Sequence, residues 1–349
     1  MAKIAVLTGG GDCPGLNAVI RAVVRRAEEY GFEIMGIREG WRGLQDPPNH
    51  ERLNRDRVRG ILHLGGTILG TSRDTPFKKD ANGKDRVTEV LRMIDRLKIE
   101  AIVAIGGEGT LNVANKLSEL GVKIVGVPKT IDNDIPGTDL TFGFDTAVSI
   151  ATEAIDRLHS TAEAHSRLMI IEVMGRHAGW IATYAGIAGG ADIVLVPEHP
   201  VDLNIVAESL ARRHKKARFS IVVVAEGAML KLDGADGANV IARGVDEFGR
   251  PLLGGIGQVL AAELERRLNI EARVSVLGYV QRGGTPTAFD RVLATRFGVA
   301  AADFAQQEQF GCMTALRGKD IVAVPLSVVA GPLKTVDDAT YDVARVFFA

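Results

Sequence analysis

Apolar residues in this chain come in short runs of five or six, many of them β-branched. Almost every run is closed by glycine or a polar turn before a longer stretch with helical spacing begins. That alternation predicts βα units of a parallel sheet: a strand buried on both faces reads as a continuous apolar run, while a helix lying on the sheet repeats its apolar residues every three or four positions. Lys3 to Thr8 is the first such strand. It passes through GGGDCPG, Gly9 to Gly15, into a helix on which Leu16, Val19, Ile20, Val23, Val24 and Ala27 share a face. Glu33 to Ile37 is the second, Ala101 to Ile105 a third that enters GGEGT before a helix from about Leu111 to Leu120, and Lys123 to Val127 a fourth that ends at PKTIDND. A second series follows: Arg167 to Val173 into MGRHAG, Ile193 to Val196 into PEHP, Ser220 to Ala225 into EG, and Ala272 to Leu277 into GYVQRGG. A helix from Thr146 to His165 links the two series. Lys231 to Gly257, rich in Gly and Asp, reads as an excursion before a helix from Gln258 to Leu268.

Composition narrows the picture. A length of 349 residues suits two domains of ordinary size. With 46% hydrophobic and 24% charged residues and a net charge of -1, the chain has no general attraction for nucleic acid or acidic membranes, so any anion site must be built locally. Two cysteines, Cys13 and Cys312, make neither a disulfide framework nor a zinc site; both are expected to be free thiols in a reducing compartment. No apolar run approaches the roughly 18 residues of a membrane span, and Met1 leads directly into KIAVLTGG, so the reading is a cytoplasmic protein with no leader. The 40 glycines gather at the ends of apolar runs, which directs attention to the turns.

GGGDCPG offers backbone N–H groups and a helix start to an anion, or is simply a tight turn. Pro14 stands where a dinucleotide fingerprint needs its third glycine, and no GxxxxGK[ST] occurs, so neither a Rossmann cofactor site nor a P-loop is supported. In GGEGT, Glu108 is a hard oxygen donor suited to Mg²⁺ held mostly by water and phosphate, or else a helix cap. In PKTIDNDIPGTD, Thr130, Asp132 and Asp134 alternate, so an extended segment would aim all three to one side, whereas an Asx-rich turn is the plainer alternative. One carboxylate can then take a proton from a hydroxyl while another serves the metal side, as phosphoryl transfer requires. Lys129 becomes a cation for phosphate. Arg167, Arg176, Arg273 and Arg282 stand at strand ends, where a guanidinium fork fits a phosphomonoester, and Glu226 would accept from sugar hydroxyls. His177 is read as structural and Trp41 and Tyr184 as packing residues. Arg21, Arg25 and Arg26 form either a regulatory anion patch or a solvated helix face.

In this order the motifs resemble the phosphofructokinase family, bacterial 6-phosphofructokinase type, over nearly the whole chain: GGGDCPGLNAVIR, GGEGT, PKTIDNDIPGTDLTFGFDTA, VMGRHAGW and LGYVQRGGTPTAFDR. The resemblance implies an α/β fold of two Rossmann-like three-layer domains with mainly parallel sheets. The larger donor domain would be 1–143 plus 281–331, and the smaller sugar-phosphate domain 144–280 plus 332–349. It implies transfer of the γ-phosphoryl of ATP to the 1-hydroxyl of fructose 6-phosphate with Mg²⁺, in glycolysis. Asp132 would be the base, with Thr130, Asp134, Arg176 and Gly11 in the transfer site and Glu108 on the metal, where the family usually has aspartate. Sugar-phosphate contacts fall on Arg167, Met174, Gly175, Arg176, Glu226, Arg273, Tyr279 and Arg282, with Arg167 and Arg273 reaching a neighbouring subunit's site in a homotetramer. The nucleotide side falls on Gly11, Arg73, Gly107, Glu108, Gly109 and Thr110, with Trp41 replacing a family tyrosine.

Three departures stand out. Tyr279 occupies a position that is histidine in many bacterial members. At the family's effector site Arg21 and Arg25 match, but His159 replaces an arginine and Asp192 a glutamate. The Lys231 to Gly257 segment resembles the longer actinobacterial type. The donor turns on two positions. Gly109 leaves room where the GGDD of pyrophosphate-dependent members would crowd an α-phosphate, whereas Lys129 is the pyrophosphate-type residue. ATP is the reading adopted, with pyrophosphate-dependent fructose 6-phosphate 1-phosphotransferase the alternative and a non-catalytic sugar-phosphate sensor behind it.

Overall fold

A computed structural model describes residues 2–79, 83, 85–231, 238–240, 242–245 and 251–348. Part of the predicted excursion (232–237, 241 and 246–250) and residue 349 lie outside the described residues. The chain forms two compact units, each an α/β layer structure: Met1–Thr130 with Ile135–Thr146 and Arg282–Leu333, and Ile131–Asp134 with Ala147–Gln281 and Lys334–Ala349.

The first unit is built on a seven-stranded sheet in the order Asp320–Pro325, Cys312–Arg317, Ile124–Pro128, Ala101–Gly106, Lys3–Gly9, Glu33–Ile37, His50–Leu53. The five inner strands run parallel and the two edge strands antiparallel to their neighbours. The Ala101–Gly106 and Ile124–Pro128 strands are buried along their whole length, which is what their unbroken apolar sequences require. In this sheet the inner strand Cys312–Arg317 and both edge strands are not among the elements the sequence predicts. HERL and DIVAVP have mostly exposed or half-buried side chains, so hydrophobicity does not mark them. The helix Leu16–Glu29 buries Leu16, Val19, Ile20, Val23, Val24 and Ala27, the face its spacing predicts.

The second unit holds a four-stranded, all-parallel sheet in the order Ala272–Val276, Leu168–Val173, Ser220–Ala225, Ile193–Leu195. Leu203–His214 and Ile256–Leu268 pack their apolar faces into one core with Leu168, Ile170, Val222 and Val224. The long helix Phe144–His165 begins in the first unit and continues in the second. Both cysteines are free, as expected, and both are buried. Burial pushes the Cys13 thiol up to about 12 and that of Cys312 to about 11, so both are inert at neutral pH.

Candidate active site

Strand order in the first unit reverses between Lys3–Gly9 and Ala101–Gly106, and open parallel sheets take their ligands beyond the carboxyl ends of strands at such a point. Gly9 pairs with Gly106, and Gly106 with Pro128. The segments beginning at Gly10, Gly107 and Lys129 therefore leave the sheet from one row, and three of the predicted motifs become neighbours. Gly10 donates its amide to Ser72 O at 2.9 Å and accepts from Thr71 Oγ1 at 2.6 Å, which brings the exposed Arg73 to the same turn. A Cβ on Gly11 would stand 2.9 Å from Nη1 of Arg282. Glycine is what lets that guanidinium lie against the turn, where it also approaches Asp12 O at 3.4 Å. Lys129 is only 3% exposed; its Nζ donates to Gly11 O and its amide to Gly106 O. It gives the row a second buried cation beside Arg282.

GGEGT does not precede its helix but starts it. The helix is Glu108–Glu119, with Gly107 extended at its N-cap and the Leu111 amide bonded to Gly107 O at 3.0 Å. The amides of this first turn have no partners within the helix and point toward its start, where an anion is favoured. Glu108 is half-buried there and accepts from Asn112 Nδ2 at 3.3 Å. A Cβ built on Gly109 meets no atom within 4 Å. Among the described residues no three His, Cys, Asp or Glu side chains gather as a metal cluster. Magnesium typically takes one or two carboxylates and completes its shell with water and substrate phosphate, so the single carboxylate of Glu108 fits that requirement. Trp41 belongs to the hydrophobic core at 2% exposure, a packing residue instead of a nucleotide contact.

In the second unit Asp132, Asn133 and Asp134 are all buried. Their segment is not extended. Asn133 takes a left-handed backbone, φ 52°, which breaks the two-residue period on which the alternation argument rested. The strand ends Val173, Ala225 and Val276 also lie close to one row, since Val173 pairs with Ala225 and Glu172 with Val276. From that row Met174, Gly175 and Arg176 emerge beside Glu226, whose Oε1 accepts from the Arg176 amide at 3.3 Å. Arg176 is itself left-handed at φ 51°. Its carbonyl oxygen lies 1.7 Å from where a Cβ of residue 227 would be, so Gly227 is obligatory beneath it.

Arg167 and Arg273 stand toward the opposite, amino end of the same sheet, about 20 and about 13 Å from that row along the strands. They share Glu271: Arg167 Nε lies 2.8 Å from its Oε2, and Arg273 also pairs with it. The Arg167 guanidinium, seconded by Arg273, holds the Glu271 carboxyl below its usual range. Within one chain they are not brought to Arg176. Tyr279 is 77% exposed on the turn Gly278–Arg282. Two ties went unread in the sequence. Glu198 of PEHP accepts from the Gly179 amide at 2.9 and 3.1 Å, and Lys334 binds the acid segment; partners 19 and about 200 residues apart leave no local signal. A concavity of about 390 Å³ in the first unit, lined by Lys3, Glu33, Arg52 and Arg96 among others, sits at the amino ends of strands and contains none of the predicted residues.

A sequence profile of the phosphofructokinase family matches residues 3–305. The chain belongs to that family. It is 53% identical over 349 residues, 99% of both chains, to a pyrophosphate–fructose 6-phosphate 1-phosphotransferase of Streptomyces coelicolor. It is also 53% identical over 341 residues, 97% of this chain and 98% of the other, to ATP-dependent 6-phosphofructokinase 3 of the same organism. Overall identity therefore does not separate the two donors. The solved phosphofructokinase of Saccharomyces cerevisiae superposes with a TM-score of 0.78 at 32% identity; the match covers 99% of this chain and 47% of that one. The architecture of the two units is thus the phosphofructokinase fold. Two of this phosphofructokinase's divergent positions are already engaged. His159 Nε2 is 2.7 Å from Gly189 O, and buried Asp192 holds Arg213 at 2.9 Å and the Ile221 amide at 2.9 Å. Burial raises the Asp192 carboxyl despite those partners. Among the described residues no helix is long and apolar enough to cross a membrane.

Proposed function

We propose that this chain is an ATP-dependent 6-phosphofructokinase of glycolysis. The observation that carries the donor assignment is the open space at Gly109, on the exposed first turn of the helix that begins at Glu108. A side chain there would take the volume and, as aspartate, add a negative charge beside the inner phosphates of a nucleotide. In this reading 1–143 plus 281–331 form the donor side and 144–280 plus 332–349 the sugar-phosphate side, with Ile131–Asp134 packed in the second compact unit.

In this reading Asp132 takes the proton of the 1-hydroxyl of fructose 6-phosphate as that oxygen bonds to the γ-phosphorus. The bond from γ-phosphorus to the bridging oxygen breaks, and ADP leaves. Thr130 and Asp134 line the path, while the Gly11 amide and Arg176 meet charge on the transferring group. Gly11, Arg73, Gly107, Glu108, Gly109 and Thr110 hold the nucleotide. Mg²⁺, held through Glu108, supplies charge neutralisation of the phosphates. Met174, Gly175, Arg176, Glu226, Tyr279 and Arg282 bind the sugar phosphate, joined by Arg167 and Arg273 from a neighbouring subunit of a cytoplasmic homotetramer.

One observation favours pyrophosphate as the donor instead: Lys129 is buried with its ammonium on the Gly11 carbonyl, a fixed cation at the donor turn. Initial rates with fructose 6-phosphate and either ATP or pyrophosphate decide between them. ATP is expected to support turnover at least about tenfold faster, and equal rates or a pyrophosphate preference would refute the assignment.

A further inference from the structure

The acid segment Ile131–Asp134 is an excursion of four residues that packs in the second unit, and two of its members are buried carboxylates. A buried acid segment with a left-handed residue at its centre does not hold its shape unaided, because both the backbone and the charges are out of their preferred states. One hold on it comes from far along the chain. Lys334 donates its amide to Asp134 O at 2.9 Å and its Nζ to Asn133 Oδ1 at 2.9 Å, gripping the segment by main chain and side chain at once.

The same residue is fixed from its other side. Its carbonyl accepts from Trp180 Nε1 at 3.0 Å, and its ammonium stands 5.3 Å from the centre of the Trp180 ring. Two residues on, the Val336 amide donates to Glu198 Oε1 at 2.9 Å, and Glu198 also accepts from Gly179 at the start of the Trp180–Ala188 helix. Lys334 to Val336 is therefore a strap that ties the acid segment to the turn following Arg176. Trp180 orients the lysine, and the lysine orients Asn133.

We propose that Lys334 is a positioning residue for the transfer reaction, holding Asp132 and Asp134 in place through Asn133 and the Asp134 carbonyl. The inference rests on the reading of Asp132 as the base. Misplacing a reacting group by about 1 Å can cost on the order of 10² in rate without abolishing binding.

The test uses the full-length protein as purified, carrying Lys334→Met, Lys334→Arg or Asn133→Gly; the last removes the acceptor while tolerating the left-handed backbone. For Lys334→Met, kcat is expected to fall on the order of 10², with KM for the phosphoryl donor within about threefold of the parent. Lys334→Arg should recover most of that loss. Asn133→Gly should fall similarly and add little when combined with Lys334→Met, since both remove one contact. A kcat within threefold in Lys334→Met, an arginine variant no better than the methionine one, or full additivity in the double variant overturns the proposal. If the parent protein turns over neither ATP nor pyrophosphate, the functional reading fails by itself. Amide hydrogen exchange across Ile131–Asp134 then judges the positioning: faster exchange in Lys334→Met but not in Lys334→Arg upholds it, and unchanged exchange overturns it.

Discussion

Gly227→Ala sets a methyl group directly against the Arg176 backbone. A methyl group on residue 227 would sit 1.7 Å from the Arg176 carbonyl oxygen and 2.9 Å from its carbonyl carbon, whereas real Cβ contacts essentially never fall below 3.0 Å. The obstructing atoms are backbone, so no rotamer change relieves them, and the Arg176 peptide must move by about 1.3 Å. Arg176 itself is already held left-handed, and its amide, on the preceding peptide, is bonded to Glu226. Overpacking of this kind costs about 1–3 kcal/mol of stability, and an ångström of misplacement about 10² in rate. Steady-state kinetics with fructose 6-phosphate varied at saturating donor, beside a thermal melt, measure both. The expected result is a kcat/KM for the sugar phosphate lower by on the order of 10², a melting midpoint lower by a few degrees, and a donor KM unchanged, because the Gly109 turn belongs to the other compact unit. A variant with the parent's kcat/KM and melting point would refute the claim that Gly227 is what permits the Arg176 backbone.

Other outcomes follow from the same geometry. Gly109→Asp should lower kcat/KM for ATP on the order of 10² while sparing any turnover with pyrophosphate, read by parallel rate assays with the two donors. Asp132→Asn should reduce kcat on the order of 10² or more with KM for fructose 6-phosphate changed only a few-fold; undiminished turnover would remove Asp132 as the base. Asp290 is fully buried and accepts from Thr146 N and Oγ1 at 2.8 and 2.6 Å, yet burial raises its carboxyl from 3.8 to about 6. A raised folded value means that its favourable contribution is complete below about pH 3.8 and is lost as pH rises through 6, a swing on the order of 3 kcal/mol. Chemical denaturation at pH 5 and 7.5 should therefore show a steeper loss of stability with rising pH in the parent than in Asp290→Asn, and parallel pH dependences would contradict it.

Much of this architecture is legible in the sequence because parallel strands buried on both faces, such as AIVAIG and SIVVVA, have no polar position to confuse the pattern, and each ends in a glycine turn. The His50–Leu53 and Asp320–Pro325 strands were not legible, since an exposed edge strand is defined by its neighbour's hydrogen bonds and not by its own hydrophobicity. The same limit applies within the site. Glycines at 11, 107 and 109 announce a place where something approaches the backbone, but no sequence pattern says that Arg282 is what lies on Gly11, or that Lys129 is buried against its carbonyl. Asn133 read as one more polar residue in an alternating run; its left-handed backbone reverses the geometry inferred from that run.

The strap on the acid segment also bears on how the protein comes into being. Asn133 and Lys334 are 201 positions apart. At ribosomal speeds of about 5–20 residues per second, the lysine is made roughly 10–40 s after the asparagine it must hold. For that interval the nascent chain carries its pair of acids with the grip still unsynthesised. Premature termination anywhere between the two positions would leave a product that has every motif of the first unit's glycine row and an acid segment without its Lys334 grip.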